Sequence, residues 1–205
     1  MIIKNQTERK ALLICGHGSR NLDYKNDLFV LKRKIKKKLL SFDIHHCFIE
    51  INKPSLSNSI KDLINKYDKI FIFPLLIFEG KHFIEDVKEK IRLFSFNNQK
   101  KIVLLNKVSL LNDILPEMSK IIKSNISSNS YDLLITSCSI SKKRKVKDEL
   151  EIYTKNLSEE LKIKNNIFYF VGDEKQVLTE IDKLKINCKQ ILIHPVFLLN
   201  GYLYQ

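Results

Sequence analysis

The two halves of this chain repeat one another at a constant shift. The segment ALLICGHGS begins at Ala11, and its counterpart DLLITSCSI begins at Asp132, 121 residues later. At the same shift CFIE aligns with FYFV, and IFIFPLLIFEG aligns with ILIHPVFLLNG, without a gap. Because one offset matches three separate segments, the sequence predicts a duplicated folding unit. The chain stops before the second copy is complete, so we expect the second lobe to lack its last helix and strand.

Apolar, β-branched runs alternate with helical patterns along both copies. The predicted strands cover 11–15, 46–50, 69–74, 101–105, 131–136, 166–171 and 189–195. The predicted helices cover 22–40, 55–66, 82–94, 110–124, 143–162 and 174–185. This alternation predicts an α/β fold in which helices flank parallel sheets. The polar segment SNISSNS divides it into an N-terminal lobe, 1–126, and an incomplete C-terminal lobe, 127–205.

Composition narrows the class of protein. With 44% hydrophobic and 29% charged residues the chain is typical of a globular protein. No apolar run reaches the roughly 20 residues of a membrane-spanning helix, so we expect no membrane partner. The first ten residues lack the apolar stretch of a secretory signal, so we expect a cytoplasmic location. Four cysteines lie far apart without a C-x-x-C pair and are expected to be buried free thiols: Cys15, Cys47, Cys138 and Cys188.

The formal net charge of +13 attracts anions, whether nucleic acid, lipid head groups or a polycarboxylate substrate. The lysine excess also fits an AT-rich genome. The most basic stretch, LKRKIKKKLL at 31–40, has no aromatic residues on which bases could stack. Its apolar residues recur at helical spacing, which predicts an amphipathic helix with a solvated basic face. We therefore expect no nucleic-acid partner.

Three residues of metal-ligand type lie at the carboxyl ends of the first three predicted strands. His17 follows the first strand, Glu50 ends the second, and His82 follows the third. In an open parallel sheet, ligands bind outside the carboxyl ends of the strands, so these side chains are predicted to converge. Two imidazoles and a carboxylate suit Co²⁺, Fe²⁺ or Ni²⁺. Each residue alone has a simpler interpretation as a loop, cap or strand-end residue, but their shared edge favours a metal site.

The repeat provides an internal comparison for these three residues. At the constant shift their counterparts are Cys138, Val171 and Leu203, so the same ligand set is absent from the second copy. We therefore expect a metal site only in the N-terminal lobe. The remaining histidines are interpreted as structural: His45, His46 and His194.

The glycine-rich segment GHGSRN (16–21) is not predicted to be a phosphate loop, because an asparagine replaces the third glycine and no G-K-[ST] follows. It also lacks the G-x-S-x-G pattern of a hydrolase nucleophile. Gly16 and Gly18 are expected to let the backbone approach a bulky ligand closely. Ser19 and Arg20 are expected to bind carboxylates of that ligand.

Together, LLICGHGSR, FIE and PLLIFEGKHFIED resemble the CbiX-type sirohydrochlorin chelatases, a family of class II chelatases. The resemblance depends on the G-H-G-S-R block, the Pro-led apolar run ending in G-x-H, and Asp86 four residues after His82. It is strongest over 11–90, and HPVFLLNG looks like the family's counterpart in the C-terminal half. The resemblance implies chelatase-like lobes built as flavodoxin-like units.

The same resemblance implies roles for particular residues. His17 and His82 would be the metal-binding and catalytic histidines, Glu50 their acidic partner, and Gly80 a further substrate-binding position. The implied reaction inserts Co²⁺ or Fe²⁺ into sirohydrochlorin, an acidic tetrapyrrole, for cobalamin or siroheme biosynthesis, with no organic cofactor. A non-catalytic metal or tetrapyrrole carrier is the alternative. An incomplete second lobe also leaves room for a homodimer.

Overall fold

The computed structural model describes residues 8–78, 83–126, 131–139, 141, 143–171, 174–184 and 189–199. The strands are β1 (Lys10–Gly16), β2 (Phe42–Phe48), β3 (Lys69–Pro74), β4 (Ile102–Leu104), β5 (Leu133–Cys138), β6 (Asn165–Phe170) and β7 (Ile191–Pro195). The α-helices are α1 (Leu22–Lys38), α2 (Leu56–Leu63), α3 (Phe83–Arg92), α4 (Phe96–Gln99), α5 (Leu115–Asn125), α6 (Arg144–Leu161) and α7 (Glu174–Leu184), and a π-helical segment, Leu110–Ile114, leads into α5. Apart from the short α4, which the sequence did not predict, strands and helices alternate as expected, and the α/β fold with parallel sheets is confirmed.

The first sheet contains β1 to β4, all parallel, in the order β2-β1-β3-β4. Alternate residues of the central strand β1 face opposite helical layers. Ala11 and Leu13 pack into a core that includes residues of α2 and α3, whereas Leu12 and Ile14 pack against α1. Because both faces are covered, β1 is apolar at every position from Ala11 to Cys15 and does not alternate with polar residues.

Local signals position the helices around this sheet. Asn21 caps α1 by accepting a hydrogen bond from the Asp23 N–H at 2.9 Å, and Ser55 caps α2 through the Asn58 N–H at 3.3 Å. Each cap satisfies a backbone donor that has no partner inside its helix. The last turn of α1 is basic, which complements the negative end of the helix dipole. None of the described helices is both long and apolar enough to cross a membrane.

The predicted start of the second strand is wrong. The sequence placed this strand at 46–50, whereas β2 begins at Phe42 and pairs with the full length of β1. His45 and His46 therefore lie in the middle of a strand, not at its beginning. The Nε2 of His45 lies 3.1 Å from the Tyr67 hydroxyl, and His46 packs edge-on against Phe29. These contacts support the structural interpretation of both histidines.

The second sheet contains three described strands, all parallel, in the order β6-β5-β7. Helix α6 packs against β5 and β6. Its buried residues recur at helical spacing: Val146, Leu150, Tyr153, Thr154, Leu157 and Ser158. The polar ones are paired within this layer; the Thr154 hydroxyl donates to the Leu150 carbonyl at 2.7 Å.

Internal contacts divide the chain into two units. Unit 1 comprises Met1–Lys107 with Leu198–Gln205, and unit 2 comprises Val108–Phe197. The sequence placed the boundary at 126–127, which assigns α5 to the first lobe. In the structure α5 belongs to unit 2, where the Lys123 ammonium lies 2.7 Å from the Glu160 carboxylate of α6. Leu198 and Leu199 belong to unit 1 again, and they pack against the part of its core that contains residues of α1.

The strand registers show that the gapless repeat is wrong by one residue. Ala11 pairs with Ile70 in the first sheet, and Leu133 pairs with Ile191 in the second. Ile191 follows Ile70 by 121 residues, but Leu133 follows Ala11 by 122. The side-chain directions agree with this offset. Leu133 packs in one cluster with Ile181 of α7, and Ala11 packs with residues of α2, which is the helix that corresponds to α7 in the first copy. The two copies therefore align at an offset of 122 residues over β5 and β6, and at 121 residues over β7.

The corrected offset changes the internal comparison made from the sequence. The counterpart of His17 is Ser139 rather than Cys138, which instead corresponds to Gly16. The counterpart of Glu50 moves from Val171 to Gly172, which lies outside the described residues, as does Leu203. Neither offset places a histidine or a carboxylate opposite His17 or Glu50. The prediction that the second copy lacks this ligand set therefore does not depend on which offset is used.

Candidate metal centre

His17 follows directly after β1, and Glu50 lies two residues after the end of β2, at the carboxyl edge of the first sheet. The Glu50 N–H donates to the His17 carbonyl at 3.1 Å, and the Ile49 N–H donates to the Gly16 carbonyl at 3.1 Å. These bonds extend the pairing of the two strands beyond their regular ends. Both candidate side chains are exposed. The structure thus brings together two of the three predicted ligand residues.

The loop itself orients the imidazole of His17. Its Nδ1 lies 3.3 Å from the Gly18 carbonyl oxygen. A carbonyl oxygen only accepts, so Nδ1 must carry the proton in this contact. In the neutral ring Nε2 is then unprotonated and able to bind a metal ion.

Position 18 requires a glycine because of its backbone conformation and its close packing against the Glu50 backbone. Its φ is +103°, and a Cβ built there would lie 2.2 Å from the Glu50 carbonyl oxygen. At Gly16, an added Cβ would meet the Tyr24 hydroxyl at 2.7 Å. Both glycines therefore allow close approaches within the protein itself. Their predicted contact with a bulky ligand stays a prediction.

Ser19 and Arg20 differ in what they present to solvent. Ser19 is 8% exposed, and its hydroxyl oxygen accepts a hydrogen bond from the Asn21 N–H at 3.1 Å. The Ser19 N–H donates to Asn52 Oδ1 at 2.7 Å. Arg20 is exposed. Binding of substrate carboxylates by these two residues stays a prediction. The Arg20 guanidinium is more accessible to a substrate than the buried Ser19 hydroxyl.

The third predicted ligand, His82, and the predicted substrate-binding Gly80 lie outside the described residues. Asp86, four residues further on, lies in the first turn of α3. Among the residues that the structure describes, no group of three His, Cys, Asp or Glu side chains is arranged to hold a metal ion. The three-ligand set therefore stays a prediction.

The cysteines near this edge are suited to packing rather than metal binding. Cys15 and Cys47 are buried register partners on β1 and β2. A hydrogen bond with Cys15, together with burial, raises the pKa of the Cys47 thiol far above its ordinary value. Burial raises the pKa of Cys138 to about 12. Because a metal binds the thiolate, protonated buried thiols are poor ligands. The expectation of free thiols is confirmed for these three cysteines, and Cys188 lies outside the described residues.

Sequence reasoning missed two residues that shape this edge, Asn52 and Tyr24. The Tyr24 hydroxyl lies 3.5 Å from the Gly18 nitrogen, and burial raises the pKa of Tyr24, which keeps this hydroxyl protonated. The only sequence signal for Asn52 is a turn-forming residue two places after Glu50, next to Lys-Pro. Their partners are six and 33 residues away, so local sequence patterns do not reveal them.

Two solved structures have the same fold as this chain. The sirohydrochlorin chelatase SirB from Bacillus subtilis subspecies spizizenii, in complex with cobalt, matches with a TM-score of 0.75 at 19% identity. The match covers 96% of this chain and 78% of that one. SirB from Bacillus subtilis with Fe3+ matches with a TM-score of 0.78, also at 19% identity, over 96% and 79% of the two chains. The fold is therefore that of the chelatase class.

Sequence comparison identifies the family. The family model described as CbiX matches residues 11–126. The sirohydrochlorin cobaltochelatase of Saccharolobus solfataricus is 34% identical over 92 residues, which cover 44% of this chain and 68% of the relative. That of Sulfolobus acidocaldarius is 27% identical over 114 residues, covering 54% and 89%. The chain belongs to the CbiX family, as its motifs predicted.

Proposed function

We propose that this chain is a chelatase that inserts a divalent metal ion into sirohydrochlorin. The observation that supports this most directly is the placement of His17 and Glu50 side by side at the carboxyl edge of a sheet in a CbiX-family fold. The metal ion is a substrate in this reaction. The relatives of this chain are sirohydrochlorin cobaltochelatases, so the tetrapyrrole proposed here is the one that they use.

The proposed role of His17 is to present the metal ion. Its Nδ1–H is held by the Gly18 carbonyl, which leaves Nε2 available to the ion. One or two protein nitrogens leave coordination positions open, and these can be taken by the pyrrole nitrogens as water leaves. His82 is proposed as the second imidazole.

The proposed role of Glu50 follows from the charge balance of insertion. Two pyrrole N–H protons must leave as the dication enters, so a base near the metal accelerates the reaction. Glu50 is exposed beside His17 and can accept such a proton or complete the coordination of the ion. Either role requires its carboxylate, so an amide at this position should be a poor substitute.

The charge of the protein suits the substrate. A net charge of +13 attracts a polycarboxylate over long range, and Arg20 offers an exposed guanidinium three residues after His17. Attraction of this kind weakens as salt shortens the Debye length from about 10 Å at 0.1 M. The apparent KM for sirohydrochlorin should therefore rise with ionic strength.

We propose Co²⁺ or Fe²⁺ as the metal. Relatives carry cobaltochelatase names, and the structures of similar fold hold cobalt and Fe3+. Ni²⁺ shares the same ligand preferences and is a weaker third candidate. Rates measured with each metal under identical anaerobic conditions would rank them.

The deciding experiment follows the visible spectrum of sirohydrochlorin mixed anaerobically with Co²⁺ or Fe²⁺. Wild-type protein should exceed the spontaneous rate, and His17→Ala should lower the enzymatic rate by about 100-fold or more, as expected for a residue at the reacting centre. Glu50→Gln and His82→Ala should also be severely impaired. His46→Ala is the matched control, because it removes an imidazole that packs between Phe29 and Phe48, away from the metal edge.

Two outcomes would contradict the proposal. Stoichiometric binding of sirohydrochlorin or metal without turnover would support the carrier alternative. Full activity in His17→Ala would remove the candidate metal centre. Melting temperatures of each variant, measured without metal, separate lost chemistry from lost folding.

A further inference from the structure

The turn that follows Glu50 has an unusual backbone. The Asn52 N–H donates to the Glu50 carbonyl at 2.6 Å, which closes a turn of the γ type, with Ile51 at its centre. Ile51 has a φ of +62°. A β-branched residue rarely adopts a positive φ, and such a conformation persists only where surrounding contacts hold it.

One of those contacts is made by the side chain of Asn52. Its Oδ1 accepts a hydrogen bond from the Ser19 N–H at 2.7 Å. A backbone N–H only donates, so the amide oxygen rather than the amide nitrogen must face Ser19. The side chain is half-buried, and its oxygen also lies 3.2 Å from the position that a Cβ of Gly18 would take.

Asn52 thereby completes a double link between the loops that carry His17 and Glu50. On one side of Gly18 the Glu50 N–H binds the His17 carbonyl, and on the other the Ser19 N–H binds the Asn52 side chain. Gly18 itself lies against the Glu50 backbone between these two bonds. The backbone of the His17 loop therefore cannot slide along the Glu50 loop while both bonds are intact.

We propose that Asn52 is a positioning residue that fixes the separation of His17 and Glu50 before the metal ion arrives. This inference rests on the proposed function. Asn52 acts through the Ser19 backbone and needs no contact with metal or substrate. Residues that orient ligands from behind in this way affect metal affinity by about 10- to 100-fold when they are replaced.

The test compares Asn52→Ala with Asn52→Asp, which keeps an oxygen acceptor of the same shape. Co²⁺ binding is followed by its visible absorption, and kcat and KM for Co²⁺ are measured separately. Asn52→Ala should bind Co²⁺ at least about 10-fold more weakly and raise the KM for Co²⁺. Asn52→Asp should recover most of the affinity. Asn58→Ala, an exposed position on α2, is the matched control and should bind Co²⁺ as wild type does.

Wild-type Co²⁺ affinity in a folded Asn52→Ala variant would overturn the inference, and so would equal weakening by Asn52→Ala and Asn52→Asp. If Asn52→Ala does not fold, amide exchange of metal-free wild type decides. A protected Ser19 amide supports the link, and an amide that exchanges as fast as an open loop overturns it.

His17→Ala distinguishes this inference from the proposed function. Loss of Co²⁺ binding in His17→Ala but not in Asn52→Ala would overturn only the role of Asn52. If wild-type protein neither binds nor inserts Co²⁺ or Fe²⁺, both proposals fall.

Discussion

The two units contain the same apolar strand pattern, but only unit 1 buries it. Ile70 and Ile72 of β3 are fully buried, whereas Ile191 and Ile193 at the matching positions of β7 are 39% and 62% exposed. In unit 1, β4 pairs with the outer edge of β3, and Val87 of α3 joins the same core. Among the described residues of unit 2, no strand pairs with the outer edge of β7. An apolar strand is therefore buried only where a later element covers it.

The carboxyl edges of the central strands differ in the same way. In unit 1, β1 ends in a glycine-rich turn that exposes His17. In unit 2, β5 ends in the buried Cys138, and the position that corresponds to His17 is the exposed Ser139. The same strand end thus presents an imidazole in one unit and only a hydroxyl in the other.

The largest stability difference should come from matched isoleucines. Ile72→Ala should lower the free energy of unfolding by about 2–5 kcal/mol, because it leaves a cavity in a closed core. Ile193→Ala should lower it by less than about 1 kcal/mol, since most of the side chain is already exposed. Denaturant unfolding of both variants measures the difference.

Equal costs at the two positions would break the comparison. They would mean that Ile193 is covered in solution, as the homodimer predicted from the sequence would require. Sedimentation at several protein concentrations would then separate a dimer from a cover supplied within the chain.

The next effect is a dependence of stability on pH that resides in unit 2. Burial lowers the pKa of His194 to about 4, from an ordinary value of 6.5. Its Nε2 lies 2.8 Å from the Tyr153 hydroxyl. The unfolded chain binds a proton more readily than the folded one, so stability is fully present above pH 6.5 and falls towards pH 4. We expect a loss of about 3 kcal/mol over this range.

The repeat supplies the control, because Phe73 occupies this position in unit 1. His194→Phe should flatten the pH dependence between about pH 7 and about pH 4. Tyr153→Phe should be made in the same background, so that the buried hydroxyl is not left without a partner. Denaturant midpoints that fall equally with pH in wild type and in the double variant would assign the dependence to other groups.

The smallest effect compares the two non-glycine residues that have a positive φ among those described. Lys162 ends α6 with a φ of 59°, where glycine is normally preferred. Lys162→Gly should raise the free energy of unfolding by about 0.5–1 kcal/mol. Co²⁺ binding should not change.

Ile51→Gly makes the same chemical change at the candidate metal centre. Glycine relieves the strain that a β-branched residue has at this φ, so the free energy of unfolding should rise at least as much as in Lys162→Gly. Glycine also leaves this φ more freely, so we expect weaker Co²⁺ binding. Calorimetric melting and Co²⁺ titration of both variants give the comparison. An unchanged affinity in Ile51→Gly would show that the turn needs no restriction by its central side chain.

The sequence determined the order of strands and helices, the duplication, the family motif, and the edge at which His17 and Glu50 meet. These follow from local patterns: apolar β-branched runs, helical spacing, caps, and the rule that parallel strands place their carboxyl ends together. Such patterns depend on residues close in sequence. They can therefore be predicted from the sequence alone.

Only the tertiary structure decided three features: the offset between the two copies, the residue at which β2 begins, and the link between the loops that carry His17 and Glu50. A strand buried on both faces is apolar at every position, so a shift of one residue leaves its pattern unchanged while it turns every side chain to the other face. The strand pairing of the two sheets revealed that shift, and the packing of Leu133 in one cluster with Ile181 agrees with it. The bond from the Ser19 N–H to Asn52 likewise joins residues 33 positions apart, and no local pattern encodes a pairing that folding alone creates.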